Sequence, residues 1–245
     1  MTAAPRQRID RLLVERGLFE SRAKAQAAIE AGLVTANDAP VRKPSDAIPR
    51  DAKLSASAAH PYVSRGGIKL AAALDHFGFD PGGRSCLDVG ASTGGFTHVL
   101  VERGARRVYA VDVGHAQLHE SLRMRRNIVS LENTDIRTVS PAVFPETPDL
   151  VTVDVSFISL KLVLPAALKL VAHRTQLVAL IKPQFEAGPA AVKKGIVRGE
   201  GVHKQVCDDI AALVTSLGWH VLHIIPSPLA GGDGNAEFLL GATRG

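Results

Sequence analysis

Cysteine is nearly absent from this 245-residue chain, which has only Cys86 and Cys207. Two are too few for a disulfide framework or a tetrahedral zinc site, and such scarcity suits a reducing compartment. The nine histidines show no metal-ligand spacing, so no metal is expected. No run of 18 apolar residues occurs, which excludes a membrane-spanning helix. Met1–Leu13 carries Arg6, Arg8, Asp10 and Arg11 and has no apolar core, so a secretion signal is not expected there. The expected location is cytoplasmic. An acidic excess is missing too, since 29 Lys and Arg face 24 Asp and Glu. The whole basic surplus lies in residues 1–70, with 12 basic and 7 acidic side chains against 17 of each in 71–245. Such asymmetry suits an end that faces a polyanion, and nucleic acid is the first candidate.

Residues 1–55 read as a compact helical unit. Ile9, Leu12, Leu13 and Leu18 recur at helical spacing, and Gly17 stands at a helix stop. Ser21 is an N-cap for a second helix whose inner face is Ala25, Ala28 and Ile29, ended by Gly32. Two short strands follow around an Asn37–Pro40 turn. Arg6, Arg8, Arg11, Arg22 and Lys24 fall outside the apolar pattern and are expected on a solvent face. The order Ile9-Asp10, Leu13, Gly17, Ser21-Arg22, Ala25, Ile29, Gly32, Val34 and Lys43-Pro44 resembles the S4 RNA-binding domain, departing at Asn37-Asp38 where that family usually has Asn-Gly. The resemblance implies docking on RNA by shape, through phosphates and sugars. No aromatic stacking platform is visible in this segment.

Residues 56–61, small and ended by Pro61, read as a linker. From 62 to 245 the pattern alternates. Strands are expected at Ser85–Val89, Arg107–Val111, Ile128–Leu131, Leu150–Val153, Leu177–Ile181, His220–Ile225 and Glu237–Gly241. Helices are expected near Thr97–Arg103, Ala116–Arg125, Leu160–Val171 and Val202–Leu217. This is the rhythm of an α/β doubly wound sheet. No helix separates the last two strands, so the final one is expected to be antiparallel.

Cys86 to Phe96 reads as a buried strand that breaks into a glycine turn before a helix. Asp88, Gly90, Ser92, Thr93, Gly94, Gly95 and Phe96 are its candidate cofactor contacts, since glycines admit close approach and a helix N-terminus offers amides. Asp112 ends the next strand, where a carboxylate can hold ribose hydroxyls, and Asp135 follows the third strand, where it can accept an adenine amino group. Ser92 stands where a dinucleotide fingerprint needs its middle glycine, and Asp88 would repel a phosphate. S-adenosylmethionine, which has no phosphate, is the cofactor these features favour.

Asp154 ends the fourth strand, Lys182 the fifth, Glu237 opens the last, and Lys69 lies on the helix entering this region. In an open α/β sheet the crevice lies beyond the carboxyl ends of the strands, so Asp154 and Lys182 are placed there by topology. A lysine ending an apolar strand either does chemistry or makes an ion pair, with Asp154 or Glu237 as partner. Lys69, Asp154, Lys182 and Glu237, with the stretches Asp88–Thr97, Asp154–Leu160 and Lys182–Glu186, resemble the TlyA (haemolysin A) family. That family joins an S4 domain to an FtsJ-like (RrmJ-type) ribose methyltransferase domain.

The resemblance implies a small α+β S4 domain before a Rossmann-like class I methyltransferase with a seven-stranded sheet and an antiparallel last strand. It implies 2′-O-methylation of cytidine in ribosomal RNA, with ribosomal subunits as partners. The chain ends soon after its last strand, which favours the large-subunit target over the dual-subunit mode. Lys182 is the candidate to draw the proton from the ribose hydroxyl, with Asp154 and Glu237 orienting the lysines and the ribose. Arg65 joins the expected RNA contacts. No Pro-Cys nucleophile and no Asn/Asp-Pro-Pro-Tyr/Phe element is present, so C5 and exocyclic-amine methylation lack their residues. The alternatives are a non-catalytic ribosome-docking or assembly factor and a cytolysin, the latter without a spanning segment to support it.

Overall fold

A computed structural model of the chain describes residues 5–231 and 234–245, so the first four residues of the expected N-terminal unit lie outside the description. The chain divides between Pro61 and Tyr62 into two compact units.

The smaller unit has two helices, Ile9–Glu15 and Arg22–Glu30. Ser21 Oγ accepts the Lys24 amide at 3.3 Å and so caps the second, as expected. Ile9, Leu12, Leu13, Ala25, Ala28, Ile29 and Val34 form one buried core. Leu18, grouped with that stripe by spacing, is instead 42% exposed. The left-handed turn at Gly17 carries it off the helix, and Phe19 packs into the core. Val34–Ala36 pairs with Ala39–Pro40 and with Leu54–Ala56. Asn37 and Asp38 between the first two have φ of +50° and +63°, the mirror-image turn that matches strand twist. The linker begins later than 56, because Ala56 still pairs with Val34 and the Ser57 amide reaches the Leu33 carbonyl.

In the larger unit seven strands lie side by side as Ile128–Leu131, Arg107–Val111, Ser85–Val89, Leu150–Val153, Thr175–Ile181, Phe238–Arg244 and His220–Pro226. The first five are parallel, and Phe238–Arg244 is antiparallel to both its neighbours. Both faces of the sheet are covered, which is why its strands read as near-continuous apolar runs. On one face Leu70, Leu74, Val99 and Leu100, from helices Gly66–Phe77 and Gly95–Glu102, meet Val108, Val178 and Leu239. On the other, Val163, Leu164, Ile210 and Val214, from Leu160–Ala167 and Glu200–Ser216, meet Leu87, Val151 and Ile181. Each such leucine contributes about 1.5–3 kcal/mol relative to exposure.

The chain reverses its direction of spread at Ser85–Val89. The next two strands extend to one side and the following two to the other, so loops diverge at the carboxyl ends and leave a crevice. Among the expected elements that differ, two bear on the site. The helix at 116–125 shrinks to Glu120–Arg123, because Ala116 takes φ +52°, outside the right-handed helical region, and the Glu132 carboxylate pins that loop by accepting the amides of Ala116, Gln117 and Leu118 at 3.1, 2.7 and 2.9 Å. The last strand starts at Phe238, leaving Glu237 just ahead of it.

Candidate active site

At the reversal point, Gly90 and Asp154 follow adjacent strands. Gly90 has φ +83°, and a Cβ on it would overlap the Asp154 carbonyl oxygen, so this loop crossing admits only glycine. The Ser92 amide donates to Asp112 Oδ2 at 2.8 Å, and the Gly114 amide to Oδ1 at 2.7 Å. Asp112 therefore ties the first two strand-end loops together.

Two cavities open here and share Gly90, Ser92, Asp154, Ser156 and Phe157. The one of about 590 Å³ is bordered by Asp112, Asp135 and the apolar side chains Val111, Val113, Ile136 and Ile158. Arg137 also lines it, but its guanidinium grips both Asp135 oxygens at 2.6–3.0 Å. That pairing holds the Asp135 carboxyl below the usual carboxylate range. The cavity of about 560 Å³ is lined by Lys69, Asp154, Lys182 and Glu237 together with Thr93, Gly95, Phe96 and Arg65.

The four ionisable residues thus converge, and they do so as two pairs. Lys182 Nζ lies 2.6 Å from Asp154 Oδ1 and donates to Ser156 Oγ at 2.8 Å. Lys69, on helix Gly66–Phe77, donates to Glu237. The antiparallel last strand produces this arrangement: Phe238 stands opposite Ile181, which brings Glu237 and Lys182 to the same end of the sheet. A parallel strand would carry Glu237 to the far edge.

Two expected cofactor contacts stand elsewhere. Asp88 borders neither cavity; its side chain is wholly buried, and its oxygens accept the hydroxyls of Thr97 at 2.7 Å and Thr152 at 2.9 Å. Burial pushes its carboxyl up to about 7. Gly94 lies behind the loop, where a Cβ would strike Leu118 and Leu122. Both thiols are buried, and Cys207 is pushed up to about 11 by that burial. Spacing gave no sign of Ser156, nor of Phe157, whose φ is +64° and whose ring is 91% exposed, 5.2 Å from that of Phe185. Such a backbone is costly for a bulky side chain, and strain of this kind gathers at functional sites.

In the smaller unit the expected basic residues are not all free. Arg8 and Arg22 converge on the buried Asp10 at 3.0 and 2.7 Å. Lys24 pairs with Glu20 at 2.5 Å, and Arg6 donates to the Ala47 carbonyl. Arg11 is exposed, as is Arg65 at the rim of the larger unit's cavity. Among the described residues no helix is long and apolar enough to cross a membrane.

Comparison with known proteins follows the same division. The FtsJ-like methyltransferase family matches residues 62–244, and the S4 domain matches residues 7–52. YqxC of Bacillus subtilis (strain 168) is 45% identical over 239 residues, covering 96% of this chain and 85% of its own. The 16S/23S rRNA (cytidine-2′-O)-methyltransferase TlyA of Mycobacterium tuberculosis (strain ATCC 25618 / H37Rv) is 42% identical over 240 residues, covering 97% of this chain and 90% of its own. A solved structure from Streptococcus thermophilus superposes with a TM-score of 0.78 at 41% identity, over 99% of this chain and 90% of that one.

Proposed function

The chain belongs to the FtsJ-like methyltransferase family and carries an S4 domain ahead of that fold, and from this premise we propose that it methylates the 2′-hydroxyl of a cytidine ribose in ribosomal RNA, of the large subunit or of both. The observation that carries the reading is the Lys182–Asp154 pair at the junction of the two cavities, backed by Lys69–Glu237.

The residues present fit S-adenosylmethionine. Each Asp112 oxygen already accepts one amide and keeps a lone pair for a ribose hydroxyl. Apolar side chains suit an adenine, and the only cation bordering that cavity among the described residues is spent on Asp135, so nothing there holds a phosphate. Asp135 would reach the adenine amino group by giving up part of its contact with Arg137. Thr93, Gly95 and Phe96 would flank the methionine end. When bound, S-adenosylmethionine supplies an electrophilic methyl group on sulfur.

The chain's part is to hold the acceptor and take its proton. A ribose hydroxyl is a weak nucleophile, so Lys182, as the amine, takes up the 2′ proton. The ammonium that results lies against Asp154 and Ser156, which stabilise it. Lys69 and Glu237, locked together, fix the ribose from the other side, and this positioning carries much of the acceleration. The exposed Phe157 ring offers a face on which a base drawn out of its stack can rest. The S4 domain docks the RNA, with Arg6, Arg8, Arg11, Arg22 and Lys24 as its basic side chains and Arg65 at the cavity rim.

The test is transfer of labelled methyl from S-adenosylmethionine to ribosomal subunits that lack the modification. Wild type should label a cytidine ribose, and the subunit that takes the label identifies the target. Lys182→Ala should lose about 10³-fold in kcat and keep its cofactor affinity. No label on either subunit, despite cofactor binding, would turn the reading towards a docking factor. A Lys182→Arg enzyme of near-normal rate would remove Lys182 as the proton acceptor.

A further inference from the structure

A two-stranded hairpin, Val192–Lys193 with Ile196–Val197, stands at the mouth of the lysine-lined cavity and has no part in the mechanism above. We propose that it is a phosphate clamp, gripping the RNA backbone beside the reacting nucleotide; the inference rests on the ribose-methylation reading.

Its turn residues are Lys194 and Gly195, at φ +52° and +77°, the tight mirror-image turn. Lys193, Lys194 and the following Arg198 are exposed, and none has an acidic partner among the described residues. Nearby helices treat their lysines differently: Lys161 is held by Asp209 at 3.0 Å and Lys204 by Asp208 at 2.5 Å. Two unpaired cations at the turn and a third just beyond the hairpin's second strand make a concentrated positive charge.

The hairpin is also fastened to the segment that carries Glu237. Asn235, only 3% exposed, accepts the Val197 amide at 3.1 Å and donates to the Gly195 carbonyl at 2.9 Å. It stands two residues before Glu237, and Gly195 is itself part of the cavity wall. The turn is therefore held in register with the Lys69–Glu237 pair instead of swinging as a free loop.

An internal 2′-hydroxyl always lies between two phosphodiesters, so an acceptor that reaches Lys182 brings negative charge to this rim. Lys69 and Lys182 are not free to answer it, because Glu237 and Asp154 already hold their side-chain nitrogens. Among the described residues, Arg65 and the hairpin lysines are the cations at that cavity with no acidic partner. Phosphate contacts of this kind fix register without reading sequence.

The experiment measures methyl transfer to unmodified subunits by full-length wild type, Lys193→Ala/Lys194→Ala and Lys193→Arg/Lys194→Arg across a salt series. The alanine pair should raise KM for RNA about tenfold and flatten the log–log salt dependence by about 1.5, as for two lost phosphate contacts. kcat and cofactor affinity should hold within about twofold, and the arginine pair should restore KM. An alanine pair with wild-type KM and salt slope would overturn the clamp. So would a fall in kcat alone, which would make the hairpin a scaffold for the site. If wild type itself labels no ribosomal RNA, the reading beneath the clamp fails, and the clamp with it.

Discussion

Among the described residues each unit holds one aspartate with no exposed surface, and the two are held in opposite states. In the smaller unit Asp10 accepts Arg8 at 3.0 Å, Arg22 at 2.7 Å and Gln26 at 3.0 Å. The Arg8 pairing above all holds its carboxyl well below the usual carboxylate range. In the larger unit Asp88 meets only the Thr97 and Thr152 hydroxyls and the Thr97 amide, and burial pushes it up to about 7. Equal loss of solvent contact thus gives unequal chemistry, because Asp10 lies shallow beneath full positive charges, whereas Asp88 lies deep and meets only hydroxyl and amide dipoles that do not offset its desolvation. The placement differs in the same sense. Asp10 is covered by its own partners, two half-exposed guanidiniums, so it organises charge at a surface. Asp88 lies inside the strand beneath the glycine loop and braces the helix that follows.

The contrast is broken most severely at Asp88. Asp88→Ala leaves two threonine hydroxyls without a partner and a void between strand and helix. The expected loss is about 2–4 kcal/mol of stability. Thr97 belongs to the helix that carries the glycine loop, so cofactor affinity should fall at least about tenfold with it. Chemical denaturation and titration calorimetry check both. A variant as stable as wild type would mean that the two threonines are satisfied without the carboxylate.

A smaller effect sharpens the contrast through pH. The folded chain takes up a proton on Asp88 near pH 7, and the unfolded chain does so near pH 4. Between these the folded state binds the extra proton, so this group's contribution to stability declines as pH rises from about 4 to about 7. The slope is at most about 1.4 kcal/mol per pH unit. Asp88→Asn cannot ionise and should lack it, so the gap between variant and wild type should change across that window. For Asp10 the sign is reversed: its contribution is complete above about pH 4 and is lost as acid protonates it. Stability of both proteins measured from about pH 3 to 8 separates the two, and parallel curves for wild type and Asp88→Asn would refute the raised carboxyl.

These two aspartates also mark where sequence reasoning stops. Strands Ser85–Val89, Arg107–Val111, Ile128–Leu131 and Leu150–Val153 were legible residue for residue, because each is an apolar run closed by Gly, Asp or a turn. Lys69, Asp154, Lys182 and Glu237 were legible as a set from strand ends. Their pairing was not, since it depends on the last strand entering antiparallel beside Ile181. Asp88 carries the motif position of a ligand, yet its partners are nine residues away and on another strand, and they draw it inward. The short helix at Glu120–Arg123 was illegible for a similar reason: Ala116 takes a left-handed backbone, and a side chain distant in sequence, Glu132, holds the loop that follows it. Phe157 owes its exposure to a left-handed backbone that no residue preference announces.

The smallest expected effect decides what Asp10 does. Asp10→Asn adds one unit of positive charge to a unit proposed to bind RNA, so long-range electrostatics alone requires tighter binding. Orientation requires the opposite. Arg8 meets Asp10 through both Nε and a terminal nitrogen, a two-point grip that fixes the plane of the guanidinium, and Arg22 reaches the same oxygen from the second helix. Released from the carboxylate, both side chains must be ordered again whenever they meet a phosphate. We expect affinity for unmodified subunits to fall about fivefold at fixed salt, with the salt slope unchanged because no cation has been removed. Arg22→Lys should resemble it, since lysine cannot make the forked contact. If Asp10→Asn binds more tightly instead, Asp10 acts only as a counter-charge, and the smaller unit recognises RNA by its net field.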